Sequence, residues 1–168
     1  MPLIPGARPP SRKDKPPLIL IIDEDKEAVR LMKEYLHEEG FRTSVAFDGI
    51  RGVVHAIHDN PDLIILELFL PRISGYEVIK RLQTISRRTK EIPVMILTKK
   101  NVPEDERRQL VELEPNVVEF VQKPIARGSF IVKVHNLLGT GVSEKEIMKK
   151  YAEERRHETH GEEIIGGE

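Results

Sequence analysis

Residues 62–71 decide the fold, and they read Asp62-Leu63-Ile64-Ile65-Leu66-Glu67-Leu68-Phe69-Leu70-Pro71. The apolar run before Glu67 is continuous rather than alternating, which is typical of a parallel strand buried on both faces. Glu67 is a lone acid that ends this run before a loop marked by Pro71. Ligands of open α/β sheets bind beyond the carboxyl ends of the strands. Glu67 is therefore a candidate site residue rather than a packing residue.

Short apolar runs alternate with amphipathic segments on both sides of this stretch, which is the signature of βαβ units around a parallel sheet. Five strands are predicted, at residues 18–22, 42–47, 62–66, 93–98 and 117–121. Five helices are predicted, at residues 25–39, 49–59, 75–86, 104–113 and 126–138. The pattern predicts an α/β fold with a doubly wound, five-stranded parallel sheet.

The two ends of the chain differ in composition from the part between them. Residues 1–17 contain six prolines, four basic residues and one acid, which predicts a disordered arm. Residues 140–168 contain eight glutamates and five Lys or Arg residues, and Ser143 with Glu146 forms a capping box for an extra C-terminal helix. We therefore predict three parts: a Pro-rich basic arm at 1–17, a folded domain at 18–139, and a charged helix and tail at 140–168.

The overall composition limits the classes of protein to which the chain can belong. It has no cysteine, which excludes disulfides and is typical of a reducing compartment. No segment has the apolar length of a membrane span or the pattern of a signal peptide. Lys and Arg number 27 against 28 Asp and Glu, and no recognisable output domain follows residue 139, so direct nucleic-acid binding is not expected. We expect a soluble, cytoplasmic protein that does not contact the membrane.

Charged and polar side chains are predicted to converge at the carboxyl edge of the sheet. Asp23 and Glu24 follow the first strand, Glu67 the third, Thr98 ends the fourth, and Lys123 follows the fifth. Carboxylates this close repel each other unless a cation neutralises them. Mg²⁺ suits such a site because it binds oxygen ligands, commonly one or two carboxylates with a phosphate oxygen. With a lysine and a hydroxyl donor, these are the parts of a site that moves a phosphoryl group onto a carboxylate.

Five motifs occur in order along residues 18–139. They are Leu20-Ile21-Ile22-Asp23-Glu24-Asp25, Pro61-Asp62-Leu63-Ile64-Ile65-Leu66, Leu70-Pro71-Arg72-Ile73-Ser74-Gly75, Ile92-Pro93-Val94-Met95-Ile96-Leu97-Thr98 and Phe120-Val121-Gln122-Lys123-Pro124. In order and spacing they resemble the receiver domain of bacterial response regulators. The resemblance implies a flavodoxin-like fold with strand order 2-1-3-4-5, five flanking helices and a role in two-component signalling.

The same resemblance implies roles for individual residues and partners. The implied metal acids are Asp23, Glu24 and Glu67, the switch residues are Thr98 and Phe120, and Lys123 contacts the phosphoryl group. The implied cofactor is Mg²⁺. The implied partner is a histidine kinase or a downstream effector, docked on the face formed by the fourth helix, the fifth strand and the fifth helix. The chain is expected to be a signalling module rather than an enzyme.

Two residues of the predicted site, Glu67 and Lys99, depart from the family's pattern, and Pro115-Asn116 replaces its small turn before the fifth strand. The family's phosphoacceptor is aspartate, whereas Glu67 carries its carboxylate farther by about 1.5 Å, one C–C bond. A misplacement of about 1 Å can cost on the order of a hundredfold in an in-line transfer. Lys99 stands where the family has a small residue, so its stem could cover the pocket or its ammonium could pair with Glu67.

Several hypotheses for Glu67 remain open at this stage. Glu67 could be a built-in phosphomimic that pulls Thr98 and Phe120 toward the active state, or it could pair with Lys123 in a fixed interaction module. It could also be a surface acid in a loop, or the chain could still be a Mg²⁺-dependent phosphoacceptor. The extra C-terminal helix carries a narrow apolar stripe, Ile147, Met148 and Tyr151, which predicts packing on the domain, a partner contact or a homodimer contact.

Overall fold

The computed structural model describes residues 15–157 and 164–167. The strands are β1 (Leu18–Ile22), β2 (Arg42–Ala46), β3 (Leu63–Leu66), β4 (Val94–Thr98), β5 (Val117–Gln122), β6 (Ile125–Ala126) and β7 (Ile164–Ile165). The helices are α1 (Lys26–Glu38), α2 (Gly49–Asp59), α3 (Gly75–Ile85), α4 (Arg87–Lys90), α5 (Glu104–Leu113), α6 (Arg127–Leu138) and α7 (Glu144–His157). Residues 1–14 of the predicted arm and residues 158–163 and 168 of the tail lie outside this description.

The main sheet has five parallel strands in the order β2-β1-β3-β4-β5, which confirms the predicted strand order. Successive residues of a strand point to opposite faces. Ile19 and Ile21 of β1 therefore pack in one apolar cluster with α1 and α6, and Leu20 and Ile22 pack in the other with α2 and α3. Helices on both faces bury the central strands completely, which explains why β3 reads as a continuous apolar run.

One helix of this fold has no counterpart among the predicted elements. Ser86 is extended, so it ends α3, and its side chain then accepts a hydrogen bond from the Thr89 backbone N–H at 3.1 Å to begin the four-residue helix α4. Thr89 is buried and its hydroxyl donates to the Leu82 carbonyl at 2.8 Å. A helix of one turn leaves no periodic apolar pattern, so the sequence could not indicate it.

The C-terminal helix α7 packs on the domain itself. Ile147 and Tyr151 are 2% and 3% exposed, and both belong to the apolar cluster of α1 and α6. The Arg127 guanidinium lies between the rings of Tyr35 and Tyr151, at 4.6 and 4.4 Å from their centroids. Of the alternatives predicted for this apolar stripe, packing on the domain is the one that the structure shows for Ile147 and Tyr151. A homodimer stays a prediction.

A short strand near the end of the described residues has no counterpart among the predicted elements. β7 pairs with β6 in antiparallel register, with Ile165 opposite Ile125 and Ile164 opposite Ala126. Ile165 is fully buried in the cluster beneath α1, whereas Ile164 is 37% exposed. Within residues 15–157 and 164–167, no helix has both the length and the apolar character needed to span a membrane.

Candidate functional site

The carboxyl edge of the sheet brings together four of the predicted site residues. Glu67, Thr98, Asp23 and Lys123 are between 0% and 6% exposed and lie at the ends of β3, β4, β1 and β5. Backbone pairing aligns the ends of β1 and β3, since the Glu67 backbone N–H donates to the Ile22 carbonyl at 3.0 Å. The expected convergence of acids, a hydroxyl and a lysine is therefore present in the structure.

Glu67 accepts four hydrogen bonds through its carboxylate. Its Oε1 accepts from the Thr98 hydroxyl and from the Phe69 backbone N–H at 3.0 Å. Its Oε2 accepts from the Lys99 backbone N–H at 3.1 Å and from Lys123 Nζ at 3.0 Å. An ionised carboxylate offers about four lone-pair sites. Each of them is therefore already matched by a protein donor.

Lys123 joins the two buried acids of the site. Its Nζ lies 2.6 Å from Asp23 Oδ2 and 3.0 Å from Glu67 Oε2, and the three side chains are at most 3% exposed. Burial alone would lower the pKa of Lys123, but the carboxylates of Asp23 and Glu67 outweigh it and raise that pKa above its ordinary value. Lys123 is therefore a charged ammonium that bridges two carboxylates.

The pKa values of the two buried acids are shifted in opposite directions because their surroundings differ. Burial raises the pKa of Asp23, and one ammonium with one backbone N–H does not offset it. Burial also acts on Glu67, but the Thr98 hydroxyl, Lys123 and the Phe69 N–H together bring the pKa of Glu67 below its ordinary value. Glu67 is therefore the acid that the site holds in its ionised form.

A glycine allows the backbone after Glu67 to turn under α3. Gly75 begins α3, and its N–H donates to the Leu68 carbonyl at 2.9 Å. A Cβ at this position would lie 2.6 Å from the Glu67 carbonyl oxygen and 2.7 Å from the Leu68 Cα. Only a residue without a side chain permits this approach, so Gly75 helps to set the position of Glu67.

Lys99 contributes to the site through its backbone and not as the sequence analysis suggested. The Lys99 ammonium lies 3.7 Å from Glu24 Oε1, so its predicted pairing with Glu67 is wrong. Glu24 follows β1 and Lys99 follows β4, and β3 lies between these strands. The Lys99–Glu24 pair therefore spans the end of β3 above Glu67, which is compatible with the predicted role of Lys99 as a pocket cover.

The predicted metal acids are not gathered into one group. Glu24 faces Lys99 at the surface, the Lys123 ammonium occupies the space between Asp23 and Glu67, and the Glu67 lone pairs are matched by donors. Among the residues that the structure describes, no three His, Cys, Asp or Glu side chains are clustered as a metal site would require. The arrangement does not fit a Mg²⁺ ion bound through Glu67.

Other polar contacts of the site could not be read from the sequence. The Phe69 and Lys99 N–H groups bind Glu67, but a backbone donor has no residue-type signal. Gln122 donates to the carbonyls of Thr98 and Lys123, at 3.1 and 3.3 Å, and so links the ends of β4 and β5. Phe120 is partly buried, with the Arg107 guanidinium 5.0 Å from its ring centroid. Coupling between Phe120 and Thr98 stays a prediction.

Comparison with known proteins identifies the family. The model of the response regulator receiver domain matches residues 19–135, which are most of the folded part of the chain. The chain belongs to the response regulator receiver family. Receiver domains are in general signalling modules of two-component systems, and they interact with histidine kinases and effector domains. They typically bind Mg²⁺ at the phosphorylation site.

Similar receivers occur in proteins of different kinds. The DNA-binding dual master transcriptional regulator RpaA of Synechocystis is 34% identical over 122 residues, which are 73% of this chain and 49% of that protein. The hybrid signal transduction histidine kinase D of Dictyostelium discoideum is 30% identical over 122 residues, which are 73% of this chain and 8% of that kinase. This receiver therefore spans half or less of the length of these two relatives.

A solved receiver structure agrees with the fold. The receiver domain of the Francisella response regulator 1452 aligns with a TM-score of 0.63 at 25% identity, over 75% of this chain and 99% of that domain. The receiver fold thus accounts for the main sheet and its flanking helices.

Proposed function

We propose that this receiver signals by protein contact without being phosphorylated, because the Glu67 carboxylate acts as a permanent substitute for a phosphoryl group. By its place after β3, Glu67 stands where the family's motif has the phosphoacceptor aspartate. The observation that carries the proposal is the set of four donors on Glu67, which includes Thr98 and Lys123. By the family resemblance, these two residues would otherwise bind the phosphoryl group.

The longer side chain explains both parts of this proposal. A carboxylate carried about 1.5 Å farther reaches donors that an aspartate would leave to a phosphoryl oxygen. The same reach blocks the chemistry, because a nucleophilic oxygen needs a free lone pair directed at phosphorus and the Glu67 oxygens direct theirs at donors. The Lys123 ammonium lies between Asp23 and Glu67 and offsets one of their two negative charges, so the proposed state does not depend on Mg²⁺ between these two carboxylates.

The proposed output surface is the face of α5, β5 and α6. Large apolar side chains are exposed there, namely Val111, Leu113 and Val118, at 42%, 74% and 43%. Leu113 is thus the most exposed large apolar residue among those described. We propose that a histidine kinase or an effector of the same pathway binds this face, and that residues 18–139 form the receiver unit that presents it.

Incubation with a small acyl phosphate donor and Mg²⁺, followed by intact-protein mass spectrometry, tests the proposal. We expect no phosphoryl adduct on the wild-type chain, because its acceptor oxygens are occupied. We expect an adduct on the Glu67→Asp variant, since the shorter side chain frees the donors for a phosphoryl group. Glu104→Asp is the matched control, because Glu104 is exposed at the start of α5 and should remain unmodified.

Two results would count against the proposal. A wild-type adduct that disappears in Glu67→Gln would show that Glu67 accepts phosphate itself. An unmodified Glu67→Asp variant would place the block elsewhere in the pocket, for example at the Lys99–Glu24 pair, rather than in the length of the Glu67 side chain.

A further inference from the structure

The last described residues of the chain lie directly on Lys123. We name residues 164–167 the C-terminal strap. A Cβ built on Gly166 would lie 2.7 Å from Lys123 Cδ, 2.9 Å from its Cβ and 3.0 Å from its Cγ. Gly166 also has a φ of +78°, which disfavours other residue types. Its backbone therefore forms a wall along the aliphatic stem of Lys123 that only glycine permits.

The strap is held in this place by Ile165. Ile165 is 0% exposed and packs in the apolar cluster of α1 and α6. It pairs with Ile125, which lies only two residues after Lys123, in the antiparallel β6–β7 ladder. A buried side chain on one side and a strand pair on the other thus fix Gly166 against the lysine stem.

We propose that the C-terminal strap is a positioning element for Lys123, with Ile165 as its anchor and Gly166 as the surface that holds the lysine stem. A lysine has a long, flexible stem with much rotamer freedom. The wall at Gly166 restricts this freedom and directs Nζ to its place between Asp23 and Glu67, at 2.6 and 3.0 Å. It also excludes water, since the Lys123 side chain is 2% exposed.

This role goes beyond the proposed function and does not depend on it. The strap would position Lys123 whether or not Glu67 can accept a phosphoryl group. It also differs from a general contribution to stability, because it concerns one side chain. A strap that merely added apolar contacts would leave the exposure of Lys123 unchanged once the rest of the domain stayed folded.

Acetylation of lysines in the full-length chain, quantified by peptide mass spectrometry, tests the role of the strap. The exposed Lys26 serves as the internal reference. In the wild-type protein we expect Lys123 to react far more slowly than Lys26. We expect Ile165→Asp to raise the Lys123 rate by about tenfold or more, because a charge in the buried anchor site opens the strap. Ile164→Asp adds the same charge at the neighbouring exposed position and should leave the rate unchanged.

A second variant keeps the test decisive. Gly166→Ala retains the Ile165 anchor but places a methyl group against the lysine stem, so it should also raise the Lys123 rate. Amide hydrogen exchange in β3 and in the strap reports whether the domain stays folded and whether the strap is released. If the β3 amides also lose their protection from exchange in Ile165→Asp, the domain has unfolded. The Lys123 acetylation rate in Gly166→Ala alone then decides.

Three results would overturn the proposal. Lys123 could stay protected in both variants while the strap amides exchange freely. If Ile165→Asp unfolds the domain, Lys123 could keep its wild-type acetylation rate in the separate Gly166→Ala variant. Lys123 could also react as fast as Lys26 in the wild-type protein, which would mean that nothing shields it.

Discussion

Replacing Lys123 with methionine is expected to lower the free energy of unfolding by about 3–5 kcal/mol, since removal of one partner leaves buried charge uncompensated. Methionine keeps the apolar stem but removes the ammonium that pairs with Asp23 and Glu67 at 2.6 and 3.0 Å. Both carboxylates are at most 3% exposed, so solvent cannot replace the lost cation. Urea unfolding followed by circular dichroism at neutral pH measures the change.

Lys133→Met is the matched control for this substitution. Lys133 pairs with Glu119 at 3.4 Å, but its side chain is 34% exposed. Loss of an exposed pair costs about 0–1 kcal/mol. A Lys123→Met variant no less stable than Lys133→Met would contradict this expectation, because it would mean that Lys123 does not compensate a buried negative charge at neutral pH. Acidification should reduce the cost of Lys123→Met, since protonation removes the unpaired charges.

Glu67→Gln is expected to cost about 2 kcal/mol at neutral pH, because its amide group would place N–H donors against two of the existing donors. The acceptor that the substitution replaces is Oε2, which accepts from the Lys99 N–H and from Lys123 Nζ. The cost should also depend on pH. The folded-state pKa of Glu67 lies below its ordinary value of 4.5, so its contribution is complete above that value and is lost as the pH falls through the folded-state pKa.

Unfolding of both proteins over a range of acid pH measures this dependence. Glutamine does not titrate, so the stability gap between wild type and Glu67→Gln should shrink as the pH falls below 4.5. Asp23 titrates in both proteins and largely cancels in the comparison. Glu104→Gln, at an exposed position, should show no such gap. A gap that widens on acidification would mean that the folded-state pKa of Glu67 lies above its ordinary value rather than below it.

The sheet and the convergence of the site could be predicted because both depend on local patterns. The continuous apolar run of β3 required burial on both faces, and the residues that end parallel strands must meet at one edge. Asp23, Glu67, Thr98 and Lys123 were found in this way. The strand pattern alone therefore places these four residues together, without side-chain geometry.

The details that decide function could not be predicted in the same way. The Phe69 and Lys99 N–H groups on Glu67 depend on how two loops turn, which the residue types do not specify. The pairing of Lys99 with Glu24 required the strand order, and the choice between Glu24 and Glu67 depends on a distance. β7 is too short to leave a pattern, and its place against β6 depends on a contact distant in sequence.

Amide NMR spectra of the nitrogen-labelled wild-type chain and of Glu67→Asp, each with and without Mg²⁺ and beryllofluoride, test whether Glu67 holds the domain in the phosphorylated-like state. Beryllofluoride stands in for a phosphoryl group on the aspartate of the variant. We expect the wild-type amides near Thr98 and along β5 to coincide with those of the beryllofluoride-bound variant and to respond to neither addition. A wild-type spectrum that coincides with the unliganded variant, or that shifts when the reagents are added, would contradict this expectation.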